Sequence, residues 1–244
     1  MLNDAEVMKE FEAAEAILRG HFILSSGLHS DTYLQCARVL MNPKRAEKLC
    51  GALAEKVRMT LSSIDDIPPT SGVRLGGGHG DTITPTMPPR AVLTMPPPQP
   101  SPEGRGRTGI DLVVAPAMGG VVVGYEMGRQ LGVETIFCER ESGEFALRRG
   151  FRIEPGARIL LVEDVVTTGK SSLEAVECIK RHGGHVVAEA SLIDRSGGES
   201  AKLPFPLISL LTLHVASFSA DHVPEHLKDV PAIKPGSRWL QKQA

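Results

Sequence analysis

The sequence predicts an α/β fold with a central, mostly parallel sheet flanked by helices. Three observations predict it. Strand-like runs at Ile110–Ala115, Glu134–Cys138, Arg158–Val162 and His185–Ile193 alternate with helical segments, the pattern of a parallel sheet with crossover helices. One run, Ile159-Leu160-Leu161-Val162, is apolar throughout, as suits a strand covered on both faces. Small, polar turns at Ala117–Gly120, Glu163–Ser171 and Asp194–Gly198 follow the carboxyl ends of strands, where such sheets bind ligands. Three loops should therefore share one rim.

The elements follow in order. Residues 4–19 read as an amphipathic helix with Val7, Phe11, Ala14 and Leu18 on one face and Gly20 as its stop. Strand-like pieces at 21–24 and 32–36 flank a turn over 25–31. Asn42 and Pro43 suit the cap and first position of a second helix, whose apolar stripe is Ala46, Leu49, Leu53 and Val57. From 62 to 109, Pro68-Pro69, Gly76-Gly77-Gly78, Pro88-Pro89 and Pro96-Pro97-Pro98 crowd a stretch with no sustained period. It reads as a disordered or exposed loop, a tolerated insertion rather than a polyproline docking segment. Loop-closure entropy grows slowly with length, so such an insert need not unfold its host. The expected organisation is thus one domain from 1–61 and 110–244, interrupted by 62–109. After the strand at 110–115, a helix runs through Val122, Tyr125, Glu126 and Leu131, and another spans 170–182 up to Gly183-Gly184.

Bulk properties bound the function. The 244 residues are 41% hydrophobic and 23% charged with a formal net charge of −2, which gives no electrostatic reason to expect nucleic-acid or membrane binding. Cys36, Cys50, Cys138 and Cys178 form no C-x-x-C pair, which argues against a zinc site or disulfide framework and for reduced thiols. With no signal peptide and no apolar run of membrane-spanning length, a cytoplasmic location is expected.

The segment 159–172 carries the chemistry. Thr167, Thr168, Gly169 and Ser171 offer hydroxyls and free N–H groups at a helix start, where orphan donors and the helix dipole favour a phosphate. Glu163 and Asp164, just upstream, repel an anion but accept hydrogen bonds from ribose hydroxyls. Acids for a ribose beside a loop for its phosphate indicate a phosphorylated sugar. The plainer alternative is a strand-turn-helix whose acids are solvated or cap the helix. The spacing fits neither a Walker loop nor a G-x-G-x-x-G turn. Lys170 is expected to point to solvent.

This segment resembles the phosphoribosyl-diphosphate (PRPP) motif of the type I phosphoribosyltransferases. The resemblance narrows to the orotate phosphoribosyltransferases through Phe22–Gly27 with Ser30–Tyr33, similar to that family's N-terminal hood, Ala115–Gly120, similar to its diphosphate loop, and Ile193-Asp194-Arg195. It implies the type I fold and a pentosyltransferase of pyrimidine biosynthesis. Glu163, Asp164, Val165, Val166, Thr167, Thr168, Gly169, Lys170, Ser171, Met118, Gly119 and Arg140 would bind PRPP, with Glu163, Asp164 and Arg140 catalytic. Thr167, Arg195 and Ser25 would meet orotate, Arg195 alternatively pairing with Asp194. Mg2+ would be held mainly through PRPP, and a homodimer is implied, its mobile loop reaching the neighbour's site. That loop matches residues 139–150, where Glu141 replaces an expected lysine and no histidine occurs; Ser25 likewise stands where many members have a lysine. Arg148 and Arg149 either supply the missing charge or cover a sheet edge. The alternatives are a purine-type phosphoribosyltransferase and a non-catalytic PRPP-binding regulator.

Overall fold

The computed structural model describes residues 2–24, 27–65 and 109–234. Nearly all of the Pro/Gly-rich stretch lies outside the described residues, as do Ser25, Ser26 and the tail from Pro235.

Helix α1 (Asp4–Ala13) starts at a capping box: Glu6 N donates to Asn3 Oδ1 and Asn3 N donates to Glu6 Oε2, both at 2.9 Å. It buries Val7 and Phe11 but stops six residues before the expected end. Glu15 takes a positive φ of 49°, and the chain leaves as strand β1 (Ile17–Ile23), so Leu18 lies in a strand rather than on a helix stripe. The reason is non-local. Ile17 and Leu18 pair with Leu34 and Tyr33 of antiparallel β2 (His29–Leu34), forming a small two-stranded hood. Cys36, expected at a strand end, instead opens α2 (Cys36–Leu40).

Helix α3 (Pro43–Asp65) begins as expected, with Asn42 Oδ1 accepting from Lys44 N at 3.1 Å and Arg45 N at 3.3 Å. Its stripe Ala46, Leu49, Leu53 and Val57 is buried, and it runs beyond the expected boundary at 62.

The main sheet is built from β3 (Leu112–Pro116), β4 (Glu134–Glu141), β5 (Glu144–Leu147), β6 (Arg158–Val166), β7 (His185–Asp194) and β8 (Leu207–Thr212). They lie in the order β5-β4-β3-β6-β7-β8, all parallel except the edge strand β5. Two strands were not foreseen. β8 is one. The other is β5, which folds back on β4 as a hairpin where a mobile loop was expected; Ser142 (φ 51°) and Gly143 (φ 95°) make the turn.

Alternation along β6 sends its residues to two cores. Leu160 and Val162 pack with α1, α3 and α4 (Gly119–Leu131), whereas Ile159 and Leu161 pack with α5 (Lys170–Arg181). Both layers exclude water from the central strand. Truncating any of these fully buried side chains to alanine would cost about 2–5 kcal/mol. Helix α4 exposes Val122 and Tyr125 and buries Val123, Met127 and Leu131. The glycines between them permit this, since a methyl on Gly124 would lie 2.6 Å from Ala115 Cβ.

After β8 the chain returns over the hood. Phe218 exchanges hydrogen bonds with His29 (2.7 and 2.8 Å), and a single-turn α6 (Glu225–Lys228) buries Leu227. Ile233 N then donates to His21 O, and Ile23 N to Ile233 O, both at 2.8 Å. Among the described residues, no helix is long and apolar enough to cross a membrane.

One buried charge tests this packing. Glu189 on β7 is inaccessible to solvent; Ser172 Oγ donates to its Oε1 at 2.7 Å, and Oε2 has no partner. Burial pushes its carboxyl from 4.5 to about 7, against the Ser172 hydrogen bond. A raised folded-state value means the contribution to stability is full below the unfolded value and declines as pH rises through the folded one. Relative to Glu189→Gln, which cannot ionise, the native protein should therefore lose about 3 kcal/mol between pH 4.5 and the high side of 7. Paired denaturant melts across that range would check it; a pH-independent difference would contradict it.

Candidate active site

The carboxyl ends of β3, β6 and β7 open onto a cavity of about 410 Å³. Pro116 at the end of β3 and Ala117 and Gly119 beyond it line the cavity, with Glu163, Asp164 and Val165 from the last residues of β6, Thr167 and Ser171 after β6, and Arg195 after β7. The hood closes the opposite wall with Ile23, Leu24, Tyr33, Leu34 and Gln35, and Arg140, Phe145 and Lys234 complete the rim. An adjoining cavity of about 610 Å³ is lined by the whole turn Val165–Ser172, with Arg140, Gly143, Glu163 and Glu174. Five residues belong to both, so the two cavities are halves of one site.

The acids sit where solvent is scarce. Glu163 is only 9% exposed, and burial, then neighbouring Asp164, then Glu189, push its carboxyl up to about 9. Burial likewise raises Asp164, although Val165 N donates to its Oδ1 at 2.9 Å. Two desolvated acids side by side resist a second negative charge and favour hydroxyl donors or a cation.

Glycines hold the neighbouring backbone close. A methyl on Gly119 would lie 3.0 Å from Asp164 Oδ1. Gly169 takes φ +71° as the N-cap of α5, and a methyl there would meet Leu203 Cδ2 at 3.1 Å. The turn it permits presents the first N–H groups of α5, which lack intrahelical acceptors, at the second cavity.

The expected residues divide as follows. Glu163, Asp164, Val165, Thr167, Ser171, Gly119, Arg140 and Arg195 line the first cavity; Glu163, Val165, Thr167, Ser171 and Arg140 also line the second, with Val166, Thr168, Gly169 and Lys170. The Lys170 side chain is 80% exposed, as expected. Met118 is exposed and absent from the lining, although Ala117 and Gly119 on either side belong to it. Ser25 lies outside the described residues. Arg195 does not pair with Asp194, whose oxygens accept from Ser196 N at 2.7 Å and Ser200 Oγ at 3.2 Å. Burial lowers the Arg195 guanidinium, opposed by Asp31 and Tyr33.

Arg140 is engaged rather than free. It donates to Gly143 O at 2.7 Å and to Glu174, and its guanidinium lies 4.3 Å over the Phe145 ring. Arg148 and Arg149 do not line either cavity. Arg149 pairs with Glu139 at 2.8 Å and Arg148 with Glu141 at 3.8 Å, so they cover the hairpin edge. Glu174 was not foreseen from the sequence, and Lys234, in the tail 232–238, carries no chemical signal there. The spacing of Lys170 and Glu174 on a helix was a usable signal for the first; nothing local marks the second. Among the described residues, no cluster of three His, Cys, Asp or Glu could hold a metal ion, and all four cysteines are buried and free.

Comparison with known proteins identifies relatives of the chain. Residues 104–204 match the phosphoribosyl transferase domain. An orotate phosphoribosyltransferase of Erythrobacter litoralis is 50% identical over 97% of this chain and 99% of its own length. That of Sphingopyxis alaskensis is 45% identical over 97% and 98%. The solved orotate phosphoribosyltransferase of Aeropyrum pernix superposes with a TM-score of 0.55 over 84% of this chain and 93% of that one; at 20% identity it shows a shared fold.

The close contact at Gly119 yields a test. Gly119→Ala should displace the Asp164 carboxylate and weaken PRPP binding about tenfold (~1.4 kcal/mol) by calorimetry, with an unaltered far-ultraviolet circular dichroism spectrum. Unchanged affinity would mean that this position of Asp164 is not needed.

Proposed function

The chain belongs to the orotate phosphoribosyltransferases, and we propose that its cavity transfers ribose 5-phosphate from PRPP to orotate, giving orotidine 5′-monophosphate and diphosphate in pyrimidine (UMP) biosynthesis. One observation carries the reading: buried Glu163 and partly buried Asp164 share one cavity lining with the hydroxyl-rich turn after β6 and the partly buried Arg195.

Each group then has a task. The turn Thr167–Ser171 grips the 5′-phosphate through N–H and hydroxyl donors. Glu163 and Asp164 accept from the ribose hydroxyls and favour the cationic centre that develops at C1′ as diphosphate leaves. The turn at Ala117–Gly119 receives the diphosphate with backbone groups. Arg195 and Thr167 face the base, the planar guanidinium matching the orotate carboxylate. Arg140, poised on the hairpin, neutralises the leaving group after exchanging Glu174 for it. Catalysis here is positioning and charge stabilisation, with no covalent enzyme intermediate.

Magnesium fits this donor set in one way only. Glu163 and Asp164 would offer hard oxygen donors, and PRPP would supply most of the ion's ligands. Bound so, the ion would neutralise diphosphate charge. We further read the enzyme as a cytoplasmic homodimer that binds neither nucleic acid nor membranes, with 1–61 and 110–244 acting as one catalytic domain and 62–109 as a passive insertion.

The ultraviolet absorbance of orotate should fall only when protein, PRPP and magnesium are all present. No decrease with PRPP still bound would point instead to another base as acceptor. Arg140→Ala should lower turnover at least tenfold, about 1.4 kcal/mol of transition-state stabilisation. Unchanged kinetics would remove Arg140 from the mechanism.

A further inference from the structure

PRPP brings two strongly anionic groups to this site, and the cations around it are unevenly spent. Under the reading above, the 5′-phosphate occupies the turn at 167–171 and the diphosphate lies in the first cavity against Ala117 and Gly119. Three cations line that cavity: Arg140, Arg195 and Lys234. Arg140 is ion-paired with Glu174 and bonded to Gly143 O. Arg195 lines the cavity with Thr167, and both are assigned above to the base. On the hood side, Ile23, Leu24, Tyr33, Leu34 and Gln35 contribute no positive charge. Lys234 is the cation adjoining that wall among the described residues, and it lines the first cavity but not the second.

Its position is fixed by structure rather than by chance contact. The segment after β8 follows the hood on both of its strands. Phe218 bonds to His29 on β2, and Ser30 Oγ donates to Ala216 O at 2.9 Å. His21 Nδ1 then meets Val230 O at 2.9 Å, while His21 Nε2 meets His29 Nδ1 at 2.6 Å. Finally Ile233 is held on β1 by the two 2.8 Å bonds to His21 O and Ile23 N. The next residue is Lys234. Residues far apart in sequence are thus locked so that a lysine from the last described position stands beside Ile23 and Leu24 at the cavity mouth. An ammonium on a flexible stem suits a diphosphate, which offers several oxygens in varying directions, better than it suits a planar carboxylate.

We infer that Lys234, delivered by the carboxyl-terminal strap, is a substrate-binding residue that pairs with the diphosphate group of PRPP. The inference rests on the transferase reading, but its test does not depend on turnover alone. Inorganic diphosphate titrated calorimetrically into the full chain should bind about tenfold more weakly to Lys234→Gln, and Lys234→Arg should recover most of the loss. In steady state, Lys234→Gln should raise KM for PRPP to a similar degree, leaving KM for orotate within roughly twofold and the melting temperature unchanged. Lys228, on the same strap but paired with Glu225 at 2.6 Å, provides the control: Lys228→Gln should change none of these values. Native diphosphate affinity in Lys234→Gln would overturn the inference. So would a rise confined to KM for orotate, or a loss that Lys228→Gln reproduces or that arginine cannot restore. If the native protein binds diphosphate through Lys234 yet consumes no orotate, the assignment of the base fails and the role of Lys234 stands.

Discussion

The structure depends on keeping two carboxylates away from water at the end of its central strand. β6 is flanked by β3 and β7 and covered on both faces, so Glu163 and Asp164 emerge where hydration is already poor. The cost of ionising them there is what raises both groups. A fold would not retain such a cost in an ordinary surface turn. Hydroxyl donors or a cation at the pair would offset it. The pair therefore suits the ribose hydroxyls and magnesium of the proposed substrate complex.

The surroundings of the pair are shaped to the same end. Gly119 lets the first turn of α4 lie against Asp164, and Gly169 turns the chain so that α5 begins over the second cavity. The hood cannot hold itself closed with two short strands; the returning strap bonds to both of them and extends the wall. Closure of the cavity and placement of Lys234 are therefore one structural event.

Much of this was legible in the sequence because it is local. The apolar run 159–162, the acids after it and the hydroxyl-rich turn stand in consecutive positions, and Asn42-Pro43 announces α3 by itself. What escaped was decided at a distance. Ala14–Leu18 continue a helical pattern, yet pairing of Ile17 and Leu18 with β2 wins because it buries them against a partner strand. The buried face of α4 carries little sequence signal, because its contact residues include glycines, which are not hydrophobic yet permit the closest approach. The hairpin β4–β5 depends on Ser142-Gly143, a weak turn signal between charged residues. Lys234 reaches the site only through bonds to residues some two hundred positions earlier, which no periodicity encodes.

Burial pushes the Glu163 carboxyl up to about 9, so ligand binding near pH 8 is expected to release a proton there. Calorimetry of magnesium–PRPP binding at pH 8, in buffers of different ionisation enthalpy, measures this directly. The account predicts release of nearly one proton per site, lost in Glu163→Gln. A binding enthalpy independent of the buffer would contradict it.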